Sequence, residues 1–263
     1  MSLPRLIAFD LDDTLAESKS PITSDMAGLL AGLIDVRPVC VISGGQFSQF
    51  QTQVLDRLPV TTRWARLHLM PTCGTRYLRH DGQRWRQVYA HDLPAELRAR
   101  AAASLERRAR ELRLWEPDAV VRGERIEDRG SQITFSALGQ QAAPADKRAW
   151  DPGGDKRLAL RAAVADDLPE LSVRAGGSTS IDITEAGIDK GFGLRHLAQE
   201  TGIPLGDMLF FGDRCDPGGN DYPVVELGVP VRAVTGPDDT ARQIRVLLPA
   251  LRDTHPDPAK ETT

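Results

Sequence analysis

Residues 5–17 read RLIAFDLDDTLAE, and the junction inside this stretch decides the fold. The apolar run from Arg5 to Phe9 ends abruptly in Asp10, Asp12 and Asp13. A short continuous apolar run with no alternation reads as a strand buried on both faces, the habit of a parallel sheet. Two further runs repeat the pattern: Val39–Ile42 (VCVI) ends in Ser43-Gly44-Gly45, and Met208–Phe211 (MLFF) ends in Gly212-Asp213. Helical patterns lie between and after them. Ser24-Asp25 is expected to cap a helix through Ile34, Phe192–Thr201 to end at a Gly202 C-cap, and Asp239–Leu251 to close the chain, with a short strand over 229–234. Strands alternating with helices predict an α/β fold with a Rossmann-like parallel sheet.

The middle of the chain differs. A long Ala/Arg/Leu/Glu pattern over 94–113 predicts a helix. Alternating stretches at Val120-Val121 and Gln132–Ser136 predict strands, and a Pro/Gly-rich loop is expected over 142–155. A second helix over 156–167 and alternation over 172–184 follow. Helices with alternating strands suggest a small α+β module whose sheet is apolar on one face only. We therefore expect a core of 1–78 and 187–263 with an inserted α+β domain over 79–186, and a flexible tail over 253–263.

The 33 basic and 37 acidic residues leave a net charge of −4, which argues against a nucleic-acid surface. The arginine-rich helix face at 98–113 is interleaved with Glu106 and Glu111 and reads as solvated. Three cysteines without a CxxC pair exclude a disulfide framework or a thiolate metal cage and suit a reducing compartment. The longest apolar stretch, 27–34, is far short of the ~20 residues of a membrane helix. Three Asp interrupt the amino-terminal apolar run before it reaches the length of a signal peptide. These features predict a cytoplasmic protein with no membrane and no nucleic-acid partner.

In a doubly wound sheet, ligands bind beyond the carboxyl ends of the strands. Asp10, Asp12, Ser43 and Asp213 all follow predicted strands, and Lys190, one of only five lysines, opens a helix. Neighbouring carboxylates cannot be buried without compensation, and a divalent cation with oxygen ligands is the natural solution. Asp10, the Asp12 carbonyl and Asp213 suit Mg²⁺. Asp10 then reads as a nucleophile forming an aspartyl-phosphate, and Asp12 as the general acid and base. Ser43, the backbone at Gly44, and Lys190 would grip the phosphate.

The segments FDLDDTLAE (9–17), VISGG (41–45), DKGFGL (189–194) and FFGDRCDPGGND (210–221) resemble the four motifs of the haloacid dehalogenase phosphatase superfamily. About 30 residues separate the first two motifs, leaving no room for a cap there, and the long insertion before Lys190 matches a cap of the C2B type. Gly212–Asp221, Arg129–Gly139, Ala175–Asp182 and Thr235–Leu248 resemble the eukaryotic-type phosphomannomutases and related sugar phosphatases. The resemblance implies a small phosphorylated sugar as substrate and adds Asn220 and Asp221 to the metal set. It also implies substrate contacts at Lys19, Arg129, Lys147, Ser180 and Asp182, and it suggests a homodimer built through the cap. Two positions depart from the family. Gln140 stands where the mutases carry a phosphate-clamping Arg, and a Gln cannot supply a charged fork. Asp13 replaces a Gly of the first motif. The expected function is Mg²⁺-dependent phosphatase or phosphotransferase chemistry on a hexose phosphate, the alternative being interconversion of mannose 1-phosphate and mannose 6-phosphate.

Overall fold

The structure, a computed structural model, describes residues 3–254. Its chain folds as β1 (Leu6–Phe9), α1 (Ser24–Val36), β2 (Val39–Ile42), α2 (Phe47–Gln53), β3 (Leu67–Met70), β4 (Arg76–His80) and β5 (Trp85–Ala90). It continues through α3 (Ala95–Glu111), β6 (Ile126–Asp128), β7 (Gln132–Ser136), α4 (Pro144–Trp150), α5 (Asp155–Asp167), β8 (Leu171–Ala175) and β9 (Ser180–Glu185). It closes with α6 (Lys190–Thr201), β10 (Met208–Gly212), α7 (Tyr222–Glu226), β11 (Val231–Ala233) and α8 (Pro237–Asp253). Two compact units result. One holds the residues up to Tyr89 and those from Asp189 onward; the other is Ala90–Ile188.

The first unit is built on a seven-stranded sheet in the order β11-β10-β1-β2-β3-β4-β5. β1 runs parallel to both β10 and β2, and β2 parallel to β3. All four residues of β1, β2 and β3 are buried, which is why these strands show no polar alternation. Ile7, Phe9, Val39, Val41 and Phe211 pack with α1 and α8 on one face, while Leu6, Ala8, Cys40, Ile42 and Phe210 pack with Leu194 and Leu197 of α6 on the other. The first unit thus carries the layered α/β core read from the sequence.

Several local expectations are corrected. Thr23, not Ser24, caps α1, its hydroxyl accepting from the Met26 N–H at 3.2 Å. Val120 lies in a 3-10 turn instead of a strand, and the Pro/Gly-rich stretch contains α4. The expected insertion point near residue 79 falls inside the β4–β5 hairpin, because Leu69 and Leu78 pair across β3 and β4 and draw that hairpin into the main sheet. α8 runs through Asp253, so the expected tail begins no earlier than its cap at Thr254; positions 255–263 lie outside the described residues.

The second unit is a four-stranded antiparallel sheet, β6-β7-β9-β8, with α3 and α5 against it. Ile133, Phe135, Ile181, Ile183 and Val173 join Leu105, Leu160 and Val164 in one core. Alternation therefore sends Gln132, Thr134, Ser136, Ser180, Asp182 and Arg174 to the opposite face.

His68 of β3 is a buried histidine that the sheet holds neutral. Its Nδ1 lies 2.7 Å from the Tyr77 hydroxyl, and burial, aided by Arg79, depresses its pKa to about 4. The unfolded chain binds this proton near pH 6.5, so stability is full above that value and is lost as pH falls toward 4. Urea unfolding is expected to show a fall of about 2 kcal/mol from this residue between pH 7.5 and 5. His68→Gln should remove that share of the slope, and an unchanged slope would show that His68 is not its source.

Candidate active site

β10, β1 and β2 lie side by side in parallel, so residues just past their ends meet at one edge of the sheet. Asp10 follows β1, Ser43 follows β2 and Asp213 follows β10. Asp221 comes from the turn before α7 and is fully buried. Carboxylate oxygens of Asp10, Asp213 and Asp221 all lie within 4.8 Å of one another, forming a group that could hold a metal ion.

Lys190 is the first residue of α6, and its ammonium is completely buried between two of these acids, 2.7 Å from Asp10 Oδ1 and 2.6 Å from Asp221 Oδ1. The helix comes this close because of its glycines. A Cβ on Gly193 would lie 2.5 Å from Ile42 Cδ1, and one on Gly74 (φ +86°) would lie 2.4 Å from the Gly193 Cα. Asp189 caps the same helix by accepting from the Phe192 N–H. The DKGFG stretch thereby serves both the helix start and the site.

Burial pushes the Asp10 carboxyl well above the usual carboxylate range; Lys190 opposes this, and Asp221 and Asp213 add to it. Burial likewise raises Asp213, with Asp221 reinforcing the shift. Burial alone would lower Lys190, but the Asp10 and Asp221 charges outweigh it and raise its pKa, so the ammonium stays charged. One ammonium among three carboxylates leaves an excess of negative charge in a buried place.

Asp12 is turned away from the carboxylate group. Its Oδ1 accepts from the Lys19 N–H at 2.7 Å and from Gln53 Nε2 at 3.4 Å, and its Oδ2 accepts from Gln49 Nε2 at 3.0 Å. Of the residues expected to hold the metal, the Asp10, Asp213 and Asp221 carboxylates converge and Asn220 is exposed; Asp12, expected there through its backbone carbonyl, turns its carboxylate to other donors. Sequence reading missed Gln49 and Gln53, one turn apart on α2, and Thr14, whose hydroxyl donates to Asp213 Oδ1 at 3.3 Å. The signal for the glutamines was their i, i+4 spacing just after SGG.

The loop at Ser43 is held from the turn that follows β3. Ser43 is buried, its hydroxyl accepts from the Gly45 N–H at 3.2 Å, and Gly44 completes the turn. The Cys73 N–H donates to the Ser43 carbonyl at 2.9 Å and the Thr72 N–H to the Gly45 carbonyl at 3.0 Å. Thr72 (φ +50°) and Cys73 (φ +56°) accept left-handed backbone there, as do Asp13 (φ +58°) and Lys19 (φ +60°) in the loop after β1. Such strain persists only where surrounding contacts enforce it.

In the second unit, Arg129 is nearly buried against Glu127, Nε to Oε2 at 2.8 Å. Asp182 Oδ1 accepts from Gln132 Nε2 at 2.9 Å and from the Thr134 hydroxyl at 2.7 Å. Lys147 donates to the Gln140 carbonyl at 3.0 Å, and Ser180 pairs with Ser136 across the strands. Arg129, Ser180 and Asp182 therefore share one region of that sheet.

The parallel sheet with acids past its strand ends, interrupted by an α+β insertion, is the haloacid dehalogenase fold of phosphoryl-transfer enzymes. Solved structures of that fold are similar to it. An N-terminally truncated, IMP-bound IMP-nucleotidase of Plasmodium falciparum aligns with a TM-score of 0.67 at 11% identity, over 94% of this chain and 68% of that one. A trehalose-6-phosphate phosphatase of Aspergillus fumigatus aligns with a TM-score of 0.53 at 17% identity, over 94% and 93%. Within the fold, the chain belongs to the eukaryotic phosphomannomutase family, whose model matches residues 71–250. The phosphomannomutase of Schizosaccharomyces pombe is 27% identical over 257 residues, spanning 92% of this chain and 94% of the relative. Among the described residues, no helix is long and apolar enough to cross a membrane.

Proposed function

We propose that this enzyme moves a phosphoryl group from a small phosphorylated hexose to Asp10 and then to water, with Mg²⁺ bound at Asp10, Asp213 and Asp221. The observation that carries the reading is the buried Lys190 ammonium between Asp10 and Asp221, with Asp213 completing an all-oxygen donor set. The donors fit the ion: they are hard carboxylate oxygens, and their charge exceeds what Lys190 compensates. When bound, Mg²⁺ supplies neutralising charge to the phosphate oxygens.

Asp10 Oδ1 accepts from Lys190 and from the Leu11 N–H at 2.7 Å, which orients the carboxylate for attack on phosphorus. The new O–P bond forms as the P–O bond to the sugar breaks. The electron pair leaves on the sugar oxygen, which takes a proton from Asp12. In the second half, a water gives its proton to Asp12 as its oxygen bonds phosphorus and the Asp10–phosphorus bond breaks. Lys190 and Ser43, with the backbone at Gly44, hold the phosphate oxygens. Lys19, Arg129, Gln140, Lys147, Ser180 and Asp182 are the proposed contacts to the sugar and any second phosphate.

Family membership favours a second reading, in which a sugar hydroxyl replaces water and the enzyme is a mutase. Gln140 in place of a clamping arginine favours hydrolysis, because a bisphosphorylated intermediate needs a firm second grip. The test is phosphate release from mannose 1-phosphate, mannose 6-phosphate and the glucose equivalents with Mg²⁺. In parallel, NMR follows 1-phosphate to 6-phosphate conversion with and without glucose 1,6-bisphosphate. Release without isomerisation is the expected result, abolished by EDTA and restored by Mg²⁺. Activator-dependent isomerisation would establish the mutase instead, and inertness toward every hexose phosphate would overturn both.

A further inference from the structure

We propose that Gln49 is a positioning residue that sets which oxygen of Asp12 carries the catalytic proton. The proposal rests on the reading of Asp12 as general acid. Among the described hydrogen bonds to Asp12, Oδ1 accepts two, from the Lys19 N–H and Gln53 Nε2, which occupies both of its lone pairs. Oδ2 accepts one, from Gln49 Nε2 at 3.0 Å, so one lone pair of Oδ2 is left as the seat of the proton. The two glutamines face Asp12 from one side of α2, and they are anchored differently. Gln53 is buried and also donates to the Ser20 carbonyl at 2.7 Å, which makes it part of the packing. Gln49 is half-buried, and its amide reaches Asp12 by lying over Gly45. A Cβ on Gly45 would stand 2.2 Å from Gln49 Oε1 and 2.6 Å from its Cδ. The second glycine of VISGG is therefore the gap through which the amide passes.

Without Gln49, the carboxylate is held only at Oδ1 and is free to pivot, so the proton is presented to the departing sugar oxygen less often. The cost should depend on how much the leaving group needs a proton. An alkoxide leaving from a hexose phosphate needs one; p-nitrophenolate, a stable anion, does not. The experiment compares the parent, Gln49→Leu, Gly45→Ala and Asp12→Asn on a hexose 1-phosphate in steady state, and on p-nitrophenyl phosphate by the pre-steady-state burst of nitrophenolate. That burst reports the first half-reaction alone.

Gln49→Leu is expected to lower kcat on the sugar phosphate by about tenfold, the scale of one lost hydrogen bond to a charged group, with KM changed by less than about twofold. The nitrophenolate burst should stay within about twofold of the parent. Gly45→Ala should reproduce this split by displacing the amide, and adding it to Gln49→Leu should cost little more, since both remove the same contact. Gly45→Ala also keeps a result in hand if the leucine variant folds poorly. Equal losses on both substrates, or no loss on either, would overturn the positioning role. If Asp12→Asn itself slows both substrates alike, the reading of Asp12 as acid falls, and this proposal falls with it.

Discussion

Replacing Asp10 with Asn is expected to lower turnover by at least about a thousandfold while leaving the fold intact. An amide cannot form the acyl phosphate, and catalytic groups that act as a unit lose most of their effect when one is removed. Acid quenching during turnover should trap a hydroxylamine-sensitive phosphoryl group on the parent and none on Asp10→Asn. Burial disfavours the Asp10 charge by more than Lys190 favours it, and Lys190 keeps Asp221 as its partner, so the neutral amide removes a disfavoured charge without stranding the ammonium. Without divalent cation, the melting temperature of the variant should therefore be no lower than that of the parent. Adding Mg²⁺ should raise Tm more in the parent, because tighter binding to the folded state stabilises it more. Turnover near the parent's would exclude Asp10 as nucleophile.

The largest stability effect is expected at Lys190. Its side chain is fully buried and bridges Asp10 and Asp221, so Lys190→Met leaves two carboxylates facing each other without a counter-charge. Breaking a buried pair by removing one partner costs about 3–5 kcal/mol. Urea unfolding should show a loss of that size, together with loss of inorganic phosphate binding. Adding Asp221→Asn should recover part of the stability by removing one stranded charge, but none of the activity. A loss below about 1 kcal/mol would mean that water or rearrangement relieves the carboxylates.

The core elements were legible because their signals are local. VCVI and MLFF read as buried strands since a strand covered on both faces has no polar positions to show. Gly202 marked a helix end because left-handed backbone (φ +65°) favours glycine. The β4–β5 hairpin was not legible as part of the core. Arg76, Arg79, Arg84 and Arg86 give it a surface composition, and only pairing with β3 assigns it to the main sheet. Thr23 won the cap of α1 over Ser24 through backbone geometry, which two adjacent hydroxyl residues do not distinguish in sequence.

By itself, the sequence determined the residue types and the order of the site: acids past two apolar runs, a serine past a third, and a rare lysine opening a helix. Those follow from strand burial and from the chemistry that each side chain carries. Only the tertiary structure decided how they divide. Strand order brings Asp10, Asp213 and Asp221 together around Lys190, while the loop after β1 folds back so that Asp12 faces Gln49 and Gln53 instead. Spacing along a chain limits how far two carboxylates can separate, but their directions depend on backbone dihedrals and on donors supplied by a distant helix. For that reason, two acids separated by a single residue came to occupy different environments.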